Sequence, residues 1–296
     1  MLPERIPQLD VSIGNQPGAG QLLKSSTYEF RYVNADKNQT SVALLMPAAR
    51  QLTWTDGDLF PTMDQNLPEG ELFMQIRAMF PKQPTTAMHM LALIGDNGIG
   101  RLGFRIPGAP TLPTAAPMSK DDLLRAAYPG LTANEYLCLR AANLAGIETP
   151  RFDLSHDGKL LVVERFDAVP LANGGMERLG FEDIAALTGQ RVRDTLSDRK
   201  YHGSYQRIAE VLKTLALKLF AGKHASKRYP TTEELLQFGT KACNVKSPAA
   251  VLDRIASGMS QALAQARQDE RIPNGLRQDM REAWQTGMLH AGSLIN

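Results

Sequence analysis

Apolar residues change their spacing along this chain, and the change divides it into two kinds of structure. Tyr28-Glu29-Phe30-Arg31-Tyr32-Val33 alternates over a few positions, which predicts a half-buried strand. Ser41 to Met46 is a second short apolar run, stopped by Pro47. From Glu69 to Met79 the spacing becomes helical, with Leu72, Ile76 and Met79 at i, i+4 and i+7, and Pro81 and Pro84 end the helix. Met88 to Ile94 is apolar and runs into a turn at Gly95-Asp96-Asn97-Gly98. The first hundred or so residues therefore read as a mixed region rich in short strands.

Pro107, Pro110, Pro113 and Pro117 then fall within one short stretch of Gly, Ala and Thr. Such composition favours an extended linker over 107–118, between a unit at 1–106 and a body at 119–296. Beyond it the pattern is mostly helical. Thr132-Ala133-Asn134-Glu135 spells a capping box, opening a helix that Gly146 can close. Phe152 to Leu154 and Leu160 to Phe166 flank Asp157-Gly158, a pair suited to a tight hairpin. Ser204 to Phe220 predicts one amphipathic helix with Ile208, Val211, Leu212, Leu215 and Leu219 as its buried stripe. Ser247-Pro248 opens another, whose face is Val251, Leu252, Ile255, Met259 and Leu263. Leu276, Met280 and Trp284 mark a last helix.

Composition narrows the class. The 296 residues are 43% apolar and 22% charged, enough for a real core and incompatible with wholesale disorder. With 33 basic and 31 acidic residues the net charge is +2, so no global footprint for nucleic acid or an anionic membrane exists. Cys138 and Cys243 are the only cysteines, which excludes a cysteine-rich zinc site or a disulfide scaffold and reads as a reduced, cytoplasmic protein. The start, Met-Leu-Pro-Glu-Arg, has no signal-peptide character, and no apolar run approaches the roughly 18 residues of a membrane span.

Few residues advertise chemistry. Gly98-Ile99-Gly100-Arg101-Leu102-Gly103 spells GxGxxG, but a dinucleotide fingerprint needs a helix directly after it. Here Phe104-Arg105-Ile106 leads into Pro107, so a structural turn is the better reading. None of the five histidines pairs with another His or Cys at metal-ligand spacing. Lys223 to Arg228 is a small basic cluster, read as a solvated loop. Glu164-Arg165-Phe166-Asp167 ends the apolar run Leu160-Leu161-Val162-Val163 and sets two carboxylates around an aromatic. By composition it is a strand end; in a nucleotide site it can offer main-chain groups to a base and a carboxylate to a ribose.

Several segments, in this order, resemble the HipA family of toxin kinases. Asp64 to Glu71 resembles the family's DNLLPEGEL signature, and Leu93 to Gly100 its small-residue turn. Tyr128-Pro129-Gly130-Leu131 with Asn134-Glu135-Tyr136 and Cys138 is similar to its YPGL..NEY.C helix. Val162 to Asp167 matches VVERFD, and Glu182-Asp183, Lys200-Tyr201 and Gly203 to Tyr205 fit the segment that follows. The resemblance resumes at Lys227 to Thr231 and covers most of the chain.

The resemblance implies an α+β fold, with a small N-terminal α/β subdomain and a protein-kinase-like body ending in a helical part. It implies an ATP- and magnesium-dependent serine/threonine protein kinase of a type II toxin–antitoxin module. Its partners would be a protein substrate and a HipB-type antitoxin, with DNA reached only through the antitoxin. Main-chain groups of Glu164 and Phe166 would meet adenine and Asp167 the ribose, with Asn134 and Glu135 on a helix beside them. The sequence also departs from the family. Phe181 stands where the family has a Gln. The GxQPK phosphate loop with its lysine, the NxDxHxKN catalytic loop and the metal-binding aspartate have no counterpart, so no catalytic or metal residue is named. The alternative is an inactive remnant that serves as a binding module for the antitoxin. Local pattern and resemblance also diverge at Lys213-Thr214, where periodicity predicts continuous helix while the resemblance implies an extended segment at Leu215 to Leu219.

Overall fold

The computed structural model describes residues 3–34, 36, 38–68, 70–80, 85–109, 130–191, 205–216 and 231–292. The chain divides into two compact units, one of Met1–Leu112 with Phe166–Gly203, the other of Pro113–Arg165 with Ser204–Asn296. Residues 166–191, read from sequence as part of the 119–296 body, group with the N-terminal unit. The 107–118 stretch is described only as far as Ala109.

Unit 1 is built on an antiparallel sheet of β1 (Gln8–Ile13), β2 (Gln16–Lys24), β3 (Tyr28–Tyr32), β4 (Thr53–Asp56) and β5 (Leu102–Arg105), in the order β4-β3-β2-β1-β5. Leu9, Val11 and Ile13 alternate with Gln8, Asp10 and Ser12, so one face of β1 is buried and the other is polar. Helices α1 (Pro61–Asp64), α2 (Gly70–Met79) and α3 (Ala87–Ile94) follow β4. Met88, Met90 and Leu91 of α3 join Leu22, Phe30, Met63 and Phe104 in one core. His89 is buried there and satisfied. Its Nε2 lies 2.9 Å from the Pro3 carbonyl, which can only accept. Nδ1 is therefore the acceptor for the Thr86 N–H at the start of α3.

Two apolar segments of this unit are placed by the structure in ways their sequence does not reveal. Ser41 to Met46 is not a strand but a tight turn closed by a bridge between Ala43 and Met46. The Tyr32 hydroxyl donates to the Met46 carbonyl at 2.6 Å and accepts the Val42 N–H at 2.7 Å, and Leu44 and Leu45 point to solvent. Met79, placed on the buried face of α2, is 70% exposed. The first is an apolar run too brief to reveal which of its residues meet the core, and in the second Met79 is the last residue of its helix.

Unit 2 packs α4 (Leu131–Leu144) against α8 (Pro248–Ala266), and α8 against α9 (Asn274–Gly292). Between them in sequence lie β6 (Phe152–Leu154) and β7 (Leu161–Val163), α6 (Tyr205–Ala216), α7 (Thr232–Gln237) and a π-helical turn at Phe238–Ala242. Gly258 of α8 sits against the Ala141 carbonyl and Ala145, a close approach only small residues permit. Leu137, Leu154, Leu263, Ile272 and Met280 form the core. Helix α6 passes through Lys213 and Thr214 without a break, as periodicity predicts; Ser204 and 217–220 lie outside the described residues. Its stripe is corrected: Ala209 and Val211 are buried while Ile208 and Leu212 are exposed.

Helix α4 also starts differently from the expected capping box. Gly130, at φ 84°, is the N-cap, and the Thr132 hydroxyl donates to the Gly158 carbonyl at 2.8 Å. The β6–β7 hairpin pairs Leu154 with Leu161, so its loop spans more than the Asp157-Gly158 pair and the strand ends at Val163. Arg271 binds this hairpin to the rest of the unit. It donates to the Leu154 carbonyl at 2.7 Å and pairs with Asp269 at 2.8 Å, holding the Asp269 carboxyl below the ordinary carboxylate range. A Cβ at Gly158, whose φ is 70°, would lie 2.2 Å from the Arg271 carbonyl oxygen. Gly158→Ala should therefore destabilise unit 2 by about 1–3 kcal/mol. Native-state hydrogen exchange of α4 and α8 amides in the full chain measures this, and unchanged protection would contradict it.

Candidate functional site

The Glu164–Asp167 segment leaves β7 and enters β8 (Ala168–Pro170), which pairs with β9 (Met176–Arg178) as an antiparallel hairpin. Glu164 belongs to unit 2. Its N–H donates to the Arg151 carbonyl at 2.8 Å, and its carboxylate accepts from Nε and Nη2 of Arg151, each at 2.7 Å. That fork across the ends of β6 and β7 keeps the Glu164 carboxyl below its ordinary value. Phe166 and Asp167 belong to unit 1. The Phe166 side chain is 56% exposed, and its ring meets the edge of Phe181 at a centroid distance of 5.8 Å.

Asp167, by contrast, is buried, at 3% exposure. Its Oδ2 accepts the Gly100 N–H at 2.8 Å and lies 3.4 Å from Nη2 of Arg178. The same guanidinium donates from Nε to the Gly100 carbonyl at 3.1 Å and from Nη1 to the Asp96 carbonyl at 3.3 Å. Nη2 donates to the carbonyls of Gly98 and Gly100, at 2.5 and 2.7 Å. An acid and a base from the β8–β9 hairpin thus grip opposite polarities of one turn, Gly98 to Gly100. The GxGxxG sequence is indeed a turn, leading into β5 and not a helix. Gly100 is needed there, since its φ is 83° and a Cβ would lie 2.9 Å from the Phe181 Cβ.

The next residues are held as closely. The Gln65 carboxamide donates to the Phe181 carbonyl at 2.9 Å and accepts the Asp183 N–H at 2.8 Å, reading the main chain as a neighbouring strand would. Asp183 caps α5 (Ile184–Leu187) by accepting the Ala186 N–H. Glu182 accepts the Leu44 N–H at 2.6 Å. Arg191 donates to the Leu59 carbonyl at 2.9 Å and pairs with Asp56 at 2.5 Å. Beside the turn, Asp10, Ser12, Asp96 and Arg105 line an open cavity of about 180 Å³ on the polar face of the sheet. The Asp96 and Arg105 side chains are already paired across it.

These distances define what the arrangement does. Among the described residues no three His, Cys, Asp or Glu side chains converge as a metal site would require. Asn134 and Glu135 stand on α4 in unit 2, and Lys223 to Arg228 lies outside the described residues. No helix among the described residues is long and apolar enough to cross a membrane. The cluster around Asp167 binds mostly backbone: apart from the ion pairs Asp167–Arg178, Arg191–Asp56 and Asp96–Arg105, the hydrogen bonds named above around it join a side chain to a main-chain group.

Comparison with known proteins supplies the family. Residues 9–105 match the HipA N-terminal domain and residues 115–262 the HipA-like C-terminal domain. The chain belongs to the HipA family. Among solved structures it is similar to a chain from the Shewanella oneidensis MR-1 toxin–antitoxin system complex of HipA, HipB and operator DNA. The TM-score is 0.62 at 14% identity, over 95% of this chain and 96% of that one. That likeness shows the shared α+β HipA fold. No curated protein matches the chain significantly.

Sequence reasoning picked out Asp167 but missed Arg178, Gln65 and Arg191, which sit in unremarkable contexts. The Asn173-Gly174-Gly175 run, a hairpin signal between β8 and β9, was the available clue to Arg178. Burial pushes the Glu182 carboxyl above its ordinary 4.5, against the pull of the Leu44 N–H and Arg101 and with Asp183 adding to the rise. Protonation is thus favoured in the folded HipA-family chain, and Glu182's contribution is fully present below the ordinary value. It is lost as pH rises through the raised one. In Glu182→Gln the carboxamide oxygen still accepts from Leu44 without an ionisable group. The thermal stability of the variant relative to wild type should grow as pH rises from the ordinary glutamate value to neutrality, and a pH-independent difference would refute this.

Proposed function

We propose that this HipA-family chain is the docking partner of a HipB-type antitoxin, acting through binding and not through phosphoryl transfer. Two lines of support converge. The chain keeps the HipA fold over 95% of its length, relative to a chain from a complex that contains HipB. The residue that the family resemblance would assign to a nucleotide ribose, Asp167, instead has its Oδ2 engaged by Gly100 and Arg178 at 3% exposure. This commitment of Asp167 carries the reading. The fit to ATP and magnesium is poor in other respects too. Phe181 presents a ring edge to Phe166 where the family has an amide, and no sequence counterpart supplies the phosphate lysine, catalytic aspartate or metal aspartate.

A serine/threonine kinase using ATP and magnesium on a protein substrate is the second reading, favoured by the ordered Glu164–Asp167 segment and the exposed turn at Phe166. Calorimetry on the full chain separates the two. Titration with a HipB-type antitoxin should release or absorb heat and saturate, while magnesium-ATP should give no binding isotherm and labelled ATP no phosphoprotein. Antitoxin binding together with phosphoryl transfer would establish the kinase instead, and failure to bind any HipB-type protein would sink the docking reading.

A further inference from the structure

The hydrophobic core of unit 1 closes without residues 166–191. Every buried member of that core, and every half-buried side chain packed on it, lies between Ile6 and Ile106. Within 166–191 only Asp167 and Ala186 are buried. The segment is nevertheless attached at four separated places. Asp167 and Arg178 hold the Gly98–Gly100 turn, Gln65 holds Phe181 and Asp183, Glu182 holds Leu44, and Arg191 holds Asp56 and Leu59. All are polar, and nearly all join a side chain to a main-chain group.

We propose that residues 166–191 form a detachable strap, which undocks from the 3–109 sheet body as one unit while the body stays folded. The physical ground is the separation of two kinds of cohesion. Apolar burial is what makes the sheet body cooperative, and the strap contributes almost none of it. Hydrogen bonds to main-chain groups can be exchanged for water at small net cost, provided that both partners become solvated. Undocking solvates Asp167 and Arg178 together, so no lone charge is left buried. Polar contacts of this kind resemble those of interfaces that open and close, unlike a domain interior.

Release has a defined consequence. The docked strap hides the Asp167 carboxylate and the Gly100 N–H from solvent-borne partners and fixes the Gly98–Gly100 turn through Arg178. The undocked strap presents a free carboxylate and guanidinium eleven residues apart and leaves the turn without its clamp. The strap is therefore a conformational switch whose two states differ in which polar groups unit 1 displays. It does not depend on the docking function proposed above.

Native-state hydrogen exchange on the full chain tests this. The Leu44, Gly100 and Asp183 amides each bond across the dock, so they should share one opening rate that is faster than that of Leu9, Leu22 and Phe30. Their opening should also be nearly independent of low denaturant, as a local event exposing little apolar surface. Arg178→Ala and Gln65→Glu, the latter keeping an acceptor but losing the donor to Phe181, should each speed exchange at all three amides by about tenfold. Exchange of Leu9, Leu22 and Phe30 should not change. If the three wild-type amides exchange only with the sheet, or independently of one another, the strap does not open as a unit and the proposal fails.

Discussion

The arrangement of unit 1 around its glycine turn depends on the pairing of Asp167 with Arg178. A buried carboxylate is tolerated only when its charge and its lone pairs are both answered, and here a guanidinium and the Gly100 N–H answer them. The arginine in turn needs acceptors for its remaining donors and finds them in the carbonyls of Asp96, Gly98 and Gly100. The carbonyls and the Gly100 N–H thus meet one ion pair, and Gly100 itself adopts the left-handed region at φ 83°. Phe181 closes over the space a Cβ would have filled. One ion pair thereby dictates a glycine, a turn and the path of the chain into α5.

Most of the fold was legible because burial imposes periodicity. Strand β3, the long helices α8 and α9, and the unbroken helix through Lys213-Thr214 all carry their spacing in the sequence. What escaped was decided by single distant partners. The Ser41–Met46 run is only an apolar run in sequence, and its turn is set by the Tyr32 hydroxyl, which bonds to Val42 and Met46. Gly130, and not Thr132, is the N-cap of α4, and the Thr132 hydroxyl bonds instead to the distant Gly158 carbonyl. Strand β1 could have been read from Leu9, Val11 and Ile13, whose alternation is as clean as that of β3.

The site was less legible than the fold. Glu164, Phe166 and Asp167 stand out in sequence as a group, yet each spends its polar groups differently. Glu164 is a surface partner of Arg151, Phe166 shows its ring to solvent, and Asp167 is interior. Nothing in a four-residue motif distinguishes these fates, since they depend on Arg151 thirteen residues away and on Gly100 sixty-seven away. Gln65 is the same problem in reverse. It lies inside a recognisable signature, but its role as a main-chain clamp appears only once residues 181 and 183 are brought beside it.

Family membership and chemistry separate at this point. A fold is specified by many small apolar contacts, which survive drift in sequence, so 14% identity suffices to preserve it over nearly the whole chain. Phosphoryl transfer depends on a few side chains positioned against charged phosphates, and losing any one of them removes the reaction while leaving the core intact. A carboxylate in such a fold can equally serve the fold itself, as Asp167 does with Gly100 and Arg178. The polar contacts that hold 166–191 to the sheet thus lie outside the apolar core that carries the fold, and the two can be disturbed separately.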